Sequence, residues 1–199
     1  MTDIVIKPSN SDGSVKLQTE GGTNGLTMAN TGVLTTSGNV AVTGTMTGGT
    51  LGTGVTFPTG HVLRVLGDNY TGNLELTTTY QDVPNLSVDI TMSSQTNKIA
   101  IMANLATYHH ASGTSCAGIL VRTIGGTASL NYEVADYYNP AGSGISGNIT
   151  IMYFDTPNTT SAINYKIQAK EELGQGLLNE DYNGTVNGVC SLMIYEVAG

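Results

Sequence analysis

Between Gly21 and Leu63 the chain carries no Asp, Glu, Lys or Arg, and from Thr31 to Gly60 Thr and Gly fill 18 of 30 positions. A single copy of such a segment has no means of holding one shape. Ordering each residue costs about 1–2 kcal/mol of backbone entropy, and few apolar side chains are there to offset it. Two states remain: disorder, or order imposed by other copies of the chain or by a partner. Disordered segments are usually charged and rich in Pro, Glu and Lys. This one is uncharged, and Pro58 near its end is its only proline. It also carries spaced apolar residues, and Asn39-Val-Ala-Val-Thr43 alternates with the period of a half-buried strand. Residues 31–56 are therefore read as an extended, β-rich stalk in which several chains share one narrow apolar stripe, with Val40 and Val42 on it. Thr-Gly pairs at 31–32, 43–44, 47–48 and 53–54 are unevenly spaced. Neither the Gly-X-Y period of collagen nor a heptad is present.

Residues 1–30 form a leader. Ile4 and Ile6 lie in a short strand pattern that ends at Pro8, and Val15 and Leu17 share one side of a second. A hairpin of this size is too small to be stable alone. It is read as a docking and oligomerisation segment, with a frayed terminus as the alternative.

From Phe57 the pattern changes. About nine strand-like runs follow: 61–66, 75–80, 86–92, 98–105, 118–124, 129–134, 148–155, 164–170 and 191–197. Turn residues separate them, as in an antiparallel sandwich. In the strongest run Ile99, Ile101, Ala103 and Leu105 face one way. Ala169-Lys-Glu-Glu-Leu173 is helix-like but too short to matter. The expected fold is all-β, a jelly-roll-like antiparallel sandwich over 57–199 behind the stalk.

Charge excludes some functions. A net charge of −8 opposes nucleic-acid binding, and no run of eighteen apolar residues exists to insert in a membrane. Met1-Thr-Asp-Ile-Val5 lacks the charged and apolar regions of a signal peptide, so synthesis in a cytoplasm is expected. Cys116 and Cys190 are too far apart for a metal knuckle or redox motif and read as reduced, partly buried thiols.

Catalytic constellations are scarce. His109-His110 with Ser112, Ser115 and Cys116 lacks a nucleophile elbow. Neighbouring His residues in a strand point to opposite faces, so one chain cannot easily use both for a metal. Asp136 and Glu171-Glu172 could serve as paired carboxylates, but nothing in the sequence places them together. No catalytic, cofactor or metal residue is assigned. Tyr137, Tyr138, Tyr182 and Asn183 have the composition of sugar-stacking loops, with local packing as the alternative.

Phe57-Pro-Thr-Gly-His-Val-Leu-Arg-Val65, at the exit of the stalk, resembles the junction in tail-fibre and head-fibre-like virion proteins of marine tailed bacteriophages. Cys190-Ser-Leu-Met-Ile-Tyr-Glu-Val197 is similar to their last strand. The resemblance covers the chain from about residue 55. It implies a homotrimer, a jelly-roll head like that of tumour-necrosis-factor proteins, contact with other capsid or tail proteins, and a place on a virion assembled in the host cytoplasm. It implies no enzyme. A host-surface glycan is the further partner that a fibre tip would bind. At about 3.3 Å per strand residue the stalk reaches at most about 100 Å, so a short appendage is expected rather than a long fibre.

Overall fold

The computed structural model describes residues 57–110, 113–135, 144–180, 184–186 and 188–199, together with the backbone of three short strands nearer the N-terminus. The chain divides into two units, Met1–Gly54 and Val55–Gly199. In the first, β1 (Val15–Gln18), β2 (Asn24–Met28) and β3 (Leu34–Thr36) form a three-stranded antiparallel sheet in the order β1-β2-β3.

Among its described residues the second unit, the head, holds ten strands: β4 (Val62–Tyr70), β5 (Leu74–Glu75), β6 (Gln81–Thr91), β7 (Lys98–His109), β8 (Ser115–Ile124), β9 (Thr127–Ala135), β10 (Ile145–Asp155), β11 (Ala162–Leu173), β12 (Gly176–Leu178) and β13 (Cys190–Val197). The first sheet runs β4-β13-β7, with β10 on the other edge of β7 and the short β12 and β5 extending it. The second runs β6-β11-β8-β9. All pairings are antiparallel. The chain passes repeatedly between the sheets, as in a jelly roll.

Alternation explains the strands. In β7, Ile99, Ile101, Ala103 and Leu105 point inward and are buried. They meet Ile149 and Ile151 of β10, Leu192 and Ile194 of β13, and Leu120, Ile163 and Ile167 of the second sheet in one core. Each such side chain contributes about 1.5–3 kcal/mol by leaving water. Gly118 lies on the inward side of β8, where an added Cβ would sit 2.9 Å from Leu105 Cδ1. Its missing side chain lets the two sheets approach there.

Four expectations are corrected. The run 75–80 is a strand only over Leu74–Glu75. β6 begins at Gln81, ahead of the expected Leu86, and passes through Pro84 and Asn85, the latter with φ of +64°. β6 is an edge strand, where proline costs no ladder hydrogen bond. The helix-like Ala169–Leu173 is the end of β11, held on β8. The short β12 was not expected at all.

Polar ties join the layers. Asp155 of β10 accepts two bonds from Arg122 Nη1 of β8, both 2.7 Å, and one from the Tyr165 hydroxyl of β11 at 2.6 Å. Burial, followed by the adjacent carboxylate, pushes the Tyr165 hydroxyl well above the usual tyrosine range. Glu196 of β13 accepts from the Ser93 N–H (2.7 Å), the Ser93 hydroxyl (2.9 Å), Asn97 Nδ2 (2.7 Å) and Arg64 Nη2 (2.8 Å).

Candidate functional site

Three features of the head go beyond what folding alone requires: its entrance, one outward sheet face, and a polar cleft. The entrance is the junction motif. The His61 N–H donates to the Pro58 carbonyl at 3.1 Å across a tight turn. Gly60 supplies the positive φ, +86°, that the third position of such a turn needs. The Phe57 ring stacks on His61 with centroids 4.6 Å apart. Gly60 N–H to Ala198 C=O (2.8 Å) and Ala198 N–H to His61 C=O (2.9 Å) tie this turn to the end of β13. The incoming chain is thus clamped to a strand in the middle of the first sheet.

The outward face of the first sheet is apolar. Cross-strand register sets Val65, Tyr195, Ala100 and Phe154 in one row and Gly67, Met193, Met102 and Met152 in the next. A polar row of Asn69, Ser191, Asn104 and Thr150 follows. Met152 is 64% exposed, Phe154 56%, Val65 53%, Met102 45% and Met193 39%. None of these outward positions is a carboxylate. Lys98 Nζ lies 5.7 Å from the centroid of the Phe154 ring. At Gly67 a Cβ would meet the Leu192 carbonyl oxygen at 2.6 Å, so the row has no side chain there.

The outward face of the second sheet is built differently. Lys166 Nζ lies 2.8 Å from Asp82 Oδ1, and Gln168 Nε2 donates to the same carboxylate at 2.6 Å. Burial alone would push the Asp82 carboxyl up, but these two donors hold it below its ordinary range. Asn164 Nδ2 donates to Asp89 at 2.8 Å and to Ser87 at 2.9 Å. Lys170 lies 3.6 Å from Glu133 and covers the Tyr80 ring at 4.7 Å.

The cleft, about 330 Å³, lies at the polar end of the first sheet and is lined by Asn104, Ser146, Asn148, Glu180 and Gly188 among others. Asn104 reaches Asn148 Oδ1 and Thr150 Oγ1 only at 3.4 Å each. Glu180 accepts from Asn73 and lies 3.6 Å from His110 Nε2. An amide pair, a hydroxyl and a carboxylate around an open space can exchange hydrogen bonds with a polyhydroxylated ligand.

The sequence-assigned residues fall unevenly. Ile4, Ile6, Val40 and Val42, the loop residues Tyr137, Tyr138, Tyr182 and Asn183, and also Ser112 and Asp136, lie outside the described residues. Val15 and Leu17 lie in β1, next to β2. The histidine pair separates: His109 is buried, with Nδ1 3.9 Å from Cys116 Sγ, while His110 is half exposed beside Glu180. Both cysteines are buried thiols outside any disulfide. Burial pushes the Cys190 thiol up to about 11, and it donates to Asn179 Oδ1 at 3.1 Å. Among the described residues no three His, Cys, Asp or Glu side chains gather as a metal site needs.

Sequence reasoning missed the outward methionines and Phe154. The signal was present but local: over residues 99–103 of β7, 151–154 of β10 and 192–195 of β13 both phases of the alternation are apolar, the mark of a stretch covered on both faces.

The head is an antiparallel β-sandwich with jelly-roll strand order. No protein-family profile matches the chain, and no curated protein does. Solved structures that it resembles include the capsid protein VP2 of infectious bursal disease virus in a subviral particle, at 17% identity and a TM-score of 0.39 over 68% of this chain and 38% of that one. The Gx strain of that virus aligns at 15% identity and 0.41, over 77% and 42%. T=1 particles of a mutant VP2 align at 15% and 0.35, over 96% and 49%. The chain thus spans less than half the length of each.

Proposed function

We propose that this chain is a non-enzymatic structural protein of a tailed-bacteriophage virion: a short trimeric fibre, spike or capsid decoration. It docks by residues 1–30, with Ile4, Ile6, Val15 and Leu17 as the apolar contacts. Residues 31–56 gather three chains along a stripe that includes Val40 and Val42. The observation that carries this reading is the division of the chain at Gly54 and Val55, with the entire described apolar core in the second unit. The described core is built from residues between Leu76 and Ile194, and residues 1–54 form a unit of their own, which suits a division of labour between attachment and head. The junction motif that resembles virion fibres coincides with the clamp at Phe57–His61.

A second reading, a glycan-binding adhesin at a fibre tip, is favoured by the cleft around Asn104, Asn148 and Glu180. The loop with Tyr137 and Tyr138 precedes its Ser146 in sequence, and Tyr182 and Asn183 follow its Glu180.

The deciding experiment images the protein on purified particles and fuses residues 1–56 to an unrelated trimeric domain. The fusion is expected on particles. If it stays in solution while the isolated head still binds particles, the head is the docking end and the proposed orientation is reversed.

A further inference from the structure

We infer that the outward face of the first sheet is the surface on which further copies of this same chain dock, with Met102, Met152 and Met193 at its centre. This rests on the homotrimer proposed above and adds where the heads touch.

The face is flat, four strands wide and apolar over two adjacent rows. Its exposed side chains present on the order of 500 Å² of apolar surface, which is at the upper end of what a monomer leaves in water. Turned to a threefold axis, three such faces bury on the order of 1,500 Å² in all, so each contact between two heads is smaller than the roughly 1,200 Å² of a specific pairwise interface and is completed by the shared stalk. Size alone does not name the occupant; charge does. Each chain carries a net −8. Copies of one acidic protein repel wherever carboxylates meet, so self-association needs a face without them. The outward positions of β4, β13, β7 and β10 provide that face, whereas the other sheet presents Asp82, Asp89 and Glu133. Among the described outward positions of these four strands Lys98 is the one charged residue, too little for an unlike partner to be selected by charge.

The methionines fit the same role. Three unbranched thioethers side by side on neighbouring strands, next to the empty position at Gly67, repack readily against a copy of themselves. They also report on burial, because an exposed thioether is oxidised by peroxide and a covered one is protected.

The test uses the full-length protein. Its mass is measured by sedimentation, and peroxide oxidation of each methionine is followed by mass spectrometry, with the core residue Met92 as the protected reference. In the wild type, three chains per particle are expected, with Met102, Met152 and Met193 oxidised within about threefold of the Met92 rate. Met102→Glu is expected to give a β-rich protein, still gathered by its stalk, whose heads part so that Met152 and Met193 oxidise at least tenfold faster. Should Met102→Glu fail to fold, Met152→Lys, on an edge strand, replaces it with the same expectation. A wild-type trimer whose three methionines oxidise freely, at rates that neither substitution changes, would overturn this inference and leave the trimer standing. A wild-type monomer would overturn both. Methionines protected only on intact particles would assign the face to a different virion protein and overturn self-docking.

Discussion

The two outward faces of the head share a backbone plan and differ in every chemical respect. On the second sheet, Lys166, Gln168 and Lys170 alternate with inward Tyr165, Ile167 and Ala169, and their long stems lie over Ile119 and Val121 of the neighbouring strand. That face is finished by its own side chains: Asp82 and Glu133 have lysine neighbours, and Asp89 accepts from Asn164. On the first sheet the two rows through Ala100 and Met102 are short or apolar, and their methionines, Val65 and Phe154 stay exposed. A strand's inward phase reports the fold, which both sheets satisfy equally. Its outward phase reports the medium, and here the two sheets face different media: water on one side, and by our proposal protein on the other.

Both faces exist only while the interior holds the sheets together, so the largest effect is expected at Asp155. Asp155→Ala leaves Arg122 charged and largely buried without its carboxylate, and leaves the Tyr165 hydroxyl without its acceptor. Such a break costs about 3–5 kcal/mol, and urea unfolding should show it as a lower midpoint at unchanged slope. A loss under about 1 kcal/mol would mean that the sheets are held by apolar contact alone.

The next effect depends on pH. Burial raises the Glu196 carboxyl, but bonds from the Ser93 N–H, Asn97, the Ser93 hydroxyl and Arg64 outweigh it, and the group ends below the ordinary glutamate range. A depressed folded value means that its stabilisation is complete above the unfolded glutamate range. It is then lost as pH falls through the lower, folded value. Glu196→Gln should therefore cost about 1–3 kcal/mol near neutrality and flatten the acid limb of stability below the ordinary glutamate range. An acid limb identical to wild type would remove Glu196 from the account.

The smallest effect belongs to the finished face. Lys166→Ala breaks an ion pair whose carboxylate is more than half exposed. It should cost under about 1 kcal/mol, shrinking further at high salt, with the mass in solution unchanged. A change of mass would mean that the second face also meets a partner, and would erase the contrast between the sheets.

Much of this was legible from residue order. The inward phases of β7, β10, β11 and β13 follow from alternation, and the jelly-roll class follows from their number and spacing. The failures are local and have causes. Thr77 to Tyr80 carries β-favouring residues, yet the Thr77 hydroxyl bonds the Thr79 carbonyl at 3.0 Å, a local contact that competes with a ladder. Pro84 reads as a breaker until β6 is known to be an edge. The three residues of β12 are too few to leave a pattern. The clamp at Phe57–His61 needs Ala198 from the far end of the head, and Glu196 needs Ser93 and Asn97. Pairings over such sequence separations are invisible in a linear reading.

The position of β13 has a consequence for the order of events in making the protein. This strand lies between β4 and β7 in the first sheet, although the ribosome releases it after every other strand of the head. Arg64 and Glu196, which meet across β4 and β13, are 132 residues apart. Until β13 emerges, β4 has no neighbour on that sheet and the rows of methionines are incomplete. Closure of such a long loop is entropically slow. The nascent head therefore waits with one sheet open, and only a head with β13 in place presents the surface that a second copy could join. Built this way, the fold delays assembly until translation of the head is complete.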